Sequence, residues 1–448
     1  MIKLTRYIGN TETEKMEMLK EIGINDIREL FAPIPDSVYL NRKLNIPDNI
    51  AEVDLVKGLK ELANKNMNMD DYTCFLGAGA YDHYIPTVID SLISRQEFYT
   101  SYTPYQPEIS QGTLQSIFEF QTMISELTGM QVANASMYDG ATALTEAAIM
   151  ACYDTKRSEI LVAKSVHPES RQVLNTYSRF RDMTITEVGY KNGQIDLEDL
   201  KSKINDNTAA LLIQSPNFFG VIEDIASVEK LVHENKSLLV VSADPISLAI
   251  LKSPGELGAD IVVGEAQGLG TPLSFGGPYL GYFATTEKLM RKMPGRIVGQ
   301  TVDSNGKRGF VLTLQTREQH IRRDKATSNI CSNHALNALI ATIYMTILGK
   351  EGLKEVAKLS LQKAHYAYNE LLKTGKFSEV FTAPFFKEFV VKSEENIDAL
   401  NDKLFEEKII GGYSIEKDYS DLNNGWLVAV TEKRSKDEID TLVRKAVN

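Results

Sequence analysis

The sequence predicts an α/β protein: a mostly parallel sheet with helices on both faces, followed by a smaller C-terminal α/β unit. Two observations carry this expectation. From about residue 131, short β-rich runs alternate with helical segments: EILVA (159–163), TITEV (184–188), TAALLIQ (208–214), SLLVVSA (237–243) and DIVVG (260–264). A helical stretch from about 332 to 372 then leads to strands near 387–392 and 426–430 and a closing helix. Sheets of this build place ligands beyond the carboxyl ends of their strands, so chemistry is expected in the loops that follow these runs.

Taken in order, residues 1 to about 75 read as polar helices broken by Pro33, Pro35 and Pro47, the shape of an arm that wraps another surface. A long helix is expected at about 110–128, where Leu114, Ile117, Phe118, Ile124 and Leu127 recur at helical spacing and Gly129 supplies a stop. Gly349 and Gly352 each lower helix propensity, which leaves open whether the 332–372 stretch is one helix or two. The resulting division is an N-terminal helical arm (1–75), a large domain (76–330), and a linking helix with a small domain (331–448).

Composition narrows the function classes. With 43% hydrophobic residues the chain can bury a large core, and a net charge of -11 argues against nucleic acid as a partner. Cys74, Cys152 and Cys331 are far apart and lack C-x-x-C spacing, so reduced thiols in a cytosolic compartment are expected, with neither a disulfide framework nor a zinc site. The start has no signal-peptide core, and no window approaches the ~18 consecutive apolar residues of a membrane span.

Several constellations bear on chemistry. SLLVVSA ends in Asp244, a carboxylate at a strand's carboxyl edge, which serves either as a cap or as a partner for a cofactor ring nitrogen. One strand later, GEAQGLGTPLSFGGPYLGYFAT (264–285) is a Gly-rich loop running into another apolar strand. A dinucleotide fingerprint fails there, because Thr271-Pro272 followed by a strand does not open a helix. A phosphate loop at Gly306-Lys307 fails as well, since Arg308 replaces the required Ser or Thr, and a surface hairpin is expected instead. Asp139-Gly140 joins a short strand to a helix of small residues, whose N-terminus suits an anion. His167, in the loop after EILVA, is either solvated or stacked on an aromatic ring.

Two denser clusters remain. Tyr81, Tyr84, Tyr99, Tyr102 and Tyr105, with Asp82, His83, Gln106 and Glu108 interleaved, form either an outward-bonded turn or the wall of a pocket or interface. Arg317, Arg322, Arg323 and Lys325 precede Thr327, Ser328 and Asn329, which could cap a helix; such charge is a solvated face or a site for a phosphate or acidic partner.

The segments YTPYQPEISQG, FEFQTMISELTGM with ANASMYDGATA, SFGGPYLGYFAT and LQTREQHIRRDKATSNIC stand in the order found in P-proteins of the glycine cleavage system, and the chain resembles one half of such a protein, strongly over 75–345. The resemblance implies the fold of the fold-type-I pyridoxal-phosphate transferases, with a mostly parallel seven-stranded sheet. It also implies that a lysine, which forms an imine with the cofactor, stands five residues before the proline of the Gly-rich loop. Counting back from Pro272 gives Gln267, whose amide nitrogen is not a nucleophile.

The chain therefore resembles the alpha subunit of the two-chain form, with no catalytic residue of its own and with Asp244 and His167 as relics. What the resemblance implies is a function of a pair, two alpha plus two beta chains. The beta subunit holds pyridoxal phosphate, glycine loses its carboxylate as carbon dioxide, and the aminomethyl group passes to the lipoyl arm of H-protein. Tyr81, His83, Tyr102, Tyr105, Gln106, Glu108, Arg317 and Arg322 are the residues expected at the active-site wall or subunit interface, with no metal. The alternatives are a self-sufficient pyridoxal-phosphate enzyme whose lysine is Lys252, Lys288 or Lys325, and a regulatory or interaction relic of the fold.

Overall fold

A computed structural model describes residues 9–46, 50–330 and 332–447; Pro47 and Cys331 lie outside them. The chain divides into two compact units, Met1–Asn68 and Met69–Asn448.

The first unit is built of short helices. Thr11 and Glu14 form a reciprocal capping box that starts the helix Glu12–Ile22, and Gly23, in the left-handed conformation, ends it. A 3-10 turn, Ile27–Phe31, starts at Asp26 in the same way. The helix Glu52–Ala63 buries none of its residues: Val53, Leu55, Val56, Leu59 and Leu62 are all exposed.

The second unit contains the seven-stranded sheet. Its strands in chain order are β1 (Val132–Ala133), β2 (Glu159–Ala163), β3 (Thr184–Val188), β4 (Thr208–Ser215), β5 (Leu238–Ala243), β6 (Ile261–Glu265) and β7 (Gly281–Thr285). Across the sheet they lie β1-β7-β6-β5-β4-β2-β3. The strands from β6 to β3 run parallel, and β7 runs antiparallel to β6 and β1. Strands β4, β5 and β6 read as unbroken apolar runs because helices cover both faces; Leu211, Val240 and Val262 are fully buried. The strand order reverses between β2 and β4, which opens a crevice at their carboxyl ends.

Small residues bring the helix Gly140–Thr155 close against this sheet. A side chain at Gly140 would put its Cβ 2.9 Å from the Glu265 backbone nitrogen, so only glycine fits. The predicted long helix is Gln111–Thr128, ended by Gly129 with φ 69°. The helix Ala335–Lys373 resolves the open question about its glycines: Gly349, at φ 59° and ψ -172°, is non-helical and kinks it. Beyond it lies a four-stranded antiparallel sheet of β8 (Phe377–Glu379), β9 (Glu388–Ser393), β10 (Tyr413–Ser414) and β11 (Gly425–Ala429), ordered β8-β9-β11-β10. It has its own core around Phe389, Trp426 and Leu442 and is closed by the helix Lys436–Ala446.

Two loop expectations have different outcomes. Gly306-Lys307 is the turn of the antiparallel hairpin Ile297–Val302/Arg308–Thr313, as its sequence suggested. Thr327, Ser328 and Asn329, by contrast, cap no helix: the next one starts at Ala335, after His334. The Ser328 hydroxyl turns inward, accepting from the Ile330 backbone N–H and bonding the Glu146 carboxyl.

Candidate functional site

A cavity of about 510 Å³ opens at the carboxyl ends of the parallel strands. His167 reaches it from the loop after β2, Gln214 from β4, Asp244 from the end of β5, and Glu265 and Gln267 from β6 and the loop behind it. The opposite wall is Tyr81 together with Lys387 and Glu388, which come from the start of β9 in the smaller sheet.

The polar groups in this cavity are already paired with one another. Asp244 Oδ2 lies 2.7 Å from Lys387 Nζ, and the lysine side chain is only 3% exposed. The same ammonium sits 3.8 Å above the Tyr81 ring and 2.9 Å from His83 Nε2. An ammonium can only donate, so Nε2 accepts; the ring proton is then on Nδ1, which donates to Glu432 Oε2 at 2.6 Å. Burial pushes the Glu432 carboxyl up, but its bonds from His83 and the Tyr84 N–H outweigh that and hold it at about 2.

Glu388 and Glu265 respond in the opposite direction. Glu388 accepts from the Ala78 N–H at 2.7 Å and the Tyr81 hydroxyl at 2.8 Å, yet its burial raises it to about 7. Glu265 accepts from the N–H groups of Gly140 at 3.0 Å, Gln267 at 3.1 Å and Leu280 at 3.0 Å, and burial raises it to about 7 as well. Gln267 is held by both ends of its amide: Oε1 accepts from the Tyr81 N–H at 2.9 Å, and Nε2 donates to the Thr271 carbonyl at 2.7 Å.

His167 caps the helix Pro168–Ser178, shares a hydrogen bond with the Ala78 carbonyl at 2.9 Å, and meets Phe218 edge-on at 4.7 Å. Burial lowers its pKa. The ring is thus half-buried and packed edge-on, neither free in solvent nor stacked face to face as its two sequence readings had it.

The structure brings Tyr81, His83, His167, Asp244 and Gln267 together at or beside the cavity. Tyr102 and Tyr105 are elsewhere on the surface, 76% and 63% exposed, their rings 6.3 Å apart. Gln106, Glu108 and Arg322 are exposed and do not line the cavity. Arg317 is half-buried and donates to the carbonyls of Met293 and Gly295. Lys252, Lys288 and Lys325 are exposed and outside the lining, where Lys387 is the single lysine among the described residues. Sequence reasoning passed over Lys387, Glu388 and Glu265. A charged Lys-Glu pair opening the apolar strand KEFVV, and a glutamate following IVVG, were the available signals.

Pyridoxal phosphate, the group the resemblance implies, does not fit the residues present. The position for its lysine is a glutamine already bonded to backbone, and the carboxylate for its ring nitrogen is ion-paired with Lys387. Among the described residues no group of three His, Cys, Asp or Glu side chains is placed to hold a metal ion.

Comparison with known proteins gives one picture. The family model described as glycine cleavage system P-protein matches residues 5–445. Proteins of Bacillus mycoides and Bacillus cereus, each named as probable glycine dehydrogenase (decarboxylating) subunit 1, are 57% identical over 442 residues, covering 99% of both chains. A crystal structure of glycine decarboxylase (P-protein) of the glycine cleavage system, in inhibitor-bound form, superposes with a TM-score of 0.91 at 40% identity and 99% coverage of both chains. A sphingosine-1-phosphate lyase from Burkholderia pseudomallei shares the fold at a TM-score of 0.66 and 13% identity, over 92% of this chain and 93% of the other. With near-complete coverage in both directions, the chain belongs to the glycine cleavage system P-protein family.

Proposed function

We propose that this chain is the non-catalytic alpha subunit of a glycine decarboxylase that works only as a complex with a second, beta subunit in the cytosol. The beta subunit holds pyridoxal phosphate; the pair removes the glycine carboxylate as carbon dioxide and hands the aminomethyl group to the lipoyl arm of H-protein. The observation that carries this reading is Gln267. Its amide cannot form an imine, and both its ends are bonded to backbone. Lys387, the one lysine at the cavity among the described residues, is no substitute, because an ammonium tied to Asp244 and His83 has no lone pair to offer a carbonyl.

The chain's contribution is then a surface. Tyr102 and Tyr105 present large exposed rings on a segment stiffened by Pro104 and Pro107, and their own chain's cavity makes no use of them. We assign them, with Gln106, Glu108 and Arg322, to the wall of the partner's pocket or to the subunit interface. Coexpression of the chain with its cognate beta subunit, followed by a glycine–bicarbonate exchange assay, tests this. Exchange is expected from the copurified complex and not from this chain alone; exchange by the isolated chain with added pyridoxal phosphate, or by the beta subunit at the rate of the complex, would overturn it.

A further inference from the structure

Pyridoxal phosphate offers a protein three handles: a carbonyl that forms an imine with lysine, a ring nitrogen that is a cation when paired with a carboxylate, and a phosphate anion suited to a helix N-terminus. The cavity has a counterpart for each. Gln267 stands where the amine is needed, bonded at both ends to backbone. Asp244, at the end of β5, faces a cation already: Lys387 Nζ at 2.7 Å, delivered from the smaller sheet. The helix Gly140–Thr155 turns its N-terminus to the cavity, and two of the donors there are taken by carboxyl oxygens: Gly140 N–H by Glu265 at 3.0 Å and Thr142 N–H by Asp139 at 2.7 Å.

We infer that Lys387 and Glu265 stand in for the cofactor's ring cation and phosphate anion, so that this pocket is held in shape by its own side chains and excludes the cofactor independently of the missing lysine. Signs matter here. Lys387 brings the ring nitrogen's charge, and the oxygens of Glu265 and Asp139 accept where phosphate oxygens would, which leaves Asp244 and the N–H groups of Gly140 and Thr142 satisfied without a ligand. A phosphate entering beside Glu265 and Asp139 would find acceptor oxygens already on the donors of Gly140 and Thr142, and a ring cation would have to displace a buried, hydrogen-bonded ammonium. The inference rests on the assignment of pyridoxal phosphate to the beta subunit and adds that restoring the amine alone does not restore the site.

Pyridoxine 5′-phosphate, which has the ring nitrogen and phosphate but no aldehyde, reads the two stand-ins without imine chemistry. The full-length chain should bind it not at all, Lys387→Met and Glu265→Ala weakly, and the double variant tightest, at about tenfold per restored charge-assisted contact. Equal affinity of wild type and double variant, binding by neither included, overturns the inference. Should Lys387→Met fail to fold, Glu265→Ala alone leaves the Asp244–Lys387 pair intact and is expected to take up inorganic phosphate where the wild type takes none; no uptake by that variant also overturns it. Borohydride trapping with pyridoxal phosphate separates the two claims. A stoichiometric adduct on any lysine of the wild type sinks the assignment of the cofactor to the beta subunit. An adduct at position 267 in Gln267→Lys alone, equal to that in Gln267→Lys with both further changes, sinks only the inference.

Discussion

Glu388 is a carboxyl sealed between the Ala78 N–H and the Tyr81 hydroxyl, and burial raises it from its ordinary value to about 7. In the unfolded chain it ionises near the usual carboxylate range, so the folded state holds a proton that the unfolded state has lost. Stability from this group is therefore present at low pH and falls as pH rises through the window ending at about 7, by about 3 kcal/mol in all. Glu388→Gln stays neutral throughout. Relative to wild type it is expected to gain stability between about pH 5 and pH 8, by up to about 3 kcal/mol, in chemical denaturation at the two values. A constant difference would show that Glu388 is ionised in the folded chain at both. Legibility at this scale was uneven for a physical reason. Asp244 follows directly on a strand whose apolar run announces it, and Gln267 was reached through the family resemblance by counting back from Pro272, whereas Lys387 and Glu388 reach the cavity from the other sheet, and chain order alone does not say which strand of one sheet meets which loop of the other.

The strands were the most legible elements. EILVA and TITEV coincide with β2 and β3 residue for residue, and β4, β5 and β6 agree within one residue; β2, β4, β5 and β6 are legible because buried parallel strands are apolar runs, and the edge strand β3 because its β-branched residues alternate. The kink at Gly349 was not decidable, since a lone glycine lowers helix propensity without saying whether the helix breaks. Its φ of 59° with ψ of -172° is open to glycine and hostile to any other residue, and a Cβ there would meet nothing within 4 Å. Gly349→Ala is thus a pure backbone test: we expect a loss of about 1 to 3 kcal/mol, read as a lower denaturation midpoint with far-UV circular dichroism little changed. Unchanged stability would mean the helix straightens at no cost.

Over the whole molecule, the fold class was legible from alternation alone, but assembly was not, since association is a property of two surfaces and the sequence supplies one. The first unit carries the strongest hint. Its helix Glu52–Ala63 buries nothing, and its apolar side chains, with Met16, Leu30, Phe31 and Val38, are exposed. Surfaces of this kind mark interaction sites. Removing residues 1–68 is expected to leave the 69–448 unit folded, with its melting transition retained, while abolishing copurification with the beta subunit. Retained association in size-exclusion chromatography would relieve the arm of that role.

The edges of the large sheet constrain that association further. One edge strand, β1, is two residues long. The other, β3, has Glu187 clamped by Arg171 and Thr186 bonded to Glu159 across to β2. Neither offers the long, flat ladder of free backbone groups that lets a second chain extend a sheet. The large sheet is thereby poorly suited to strand-swapping and fibril-like stacking, and a partner that meets it is expected to do so through the surrounding helices and loops.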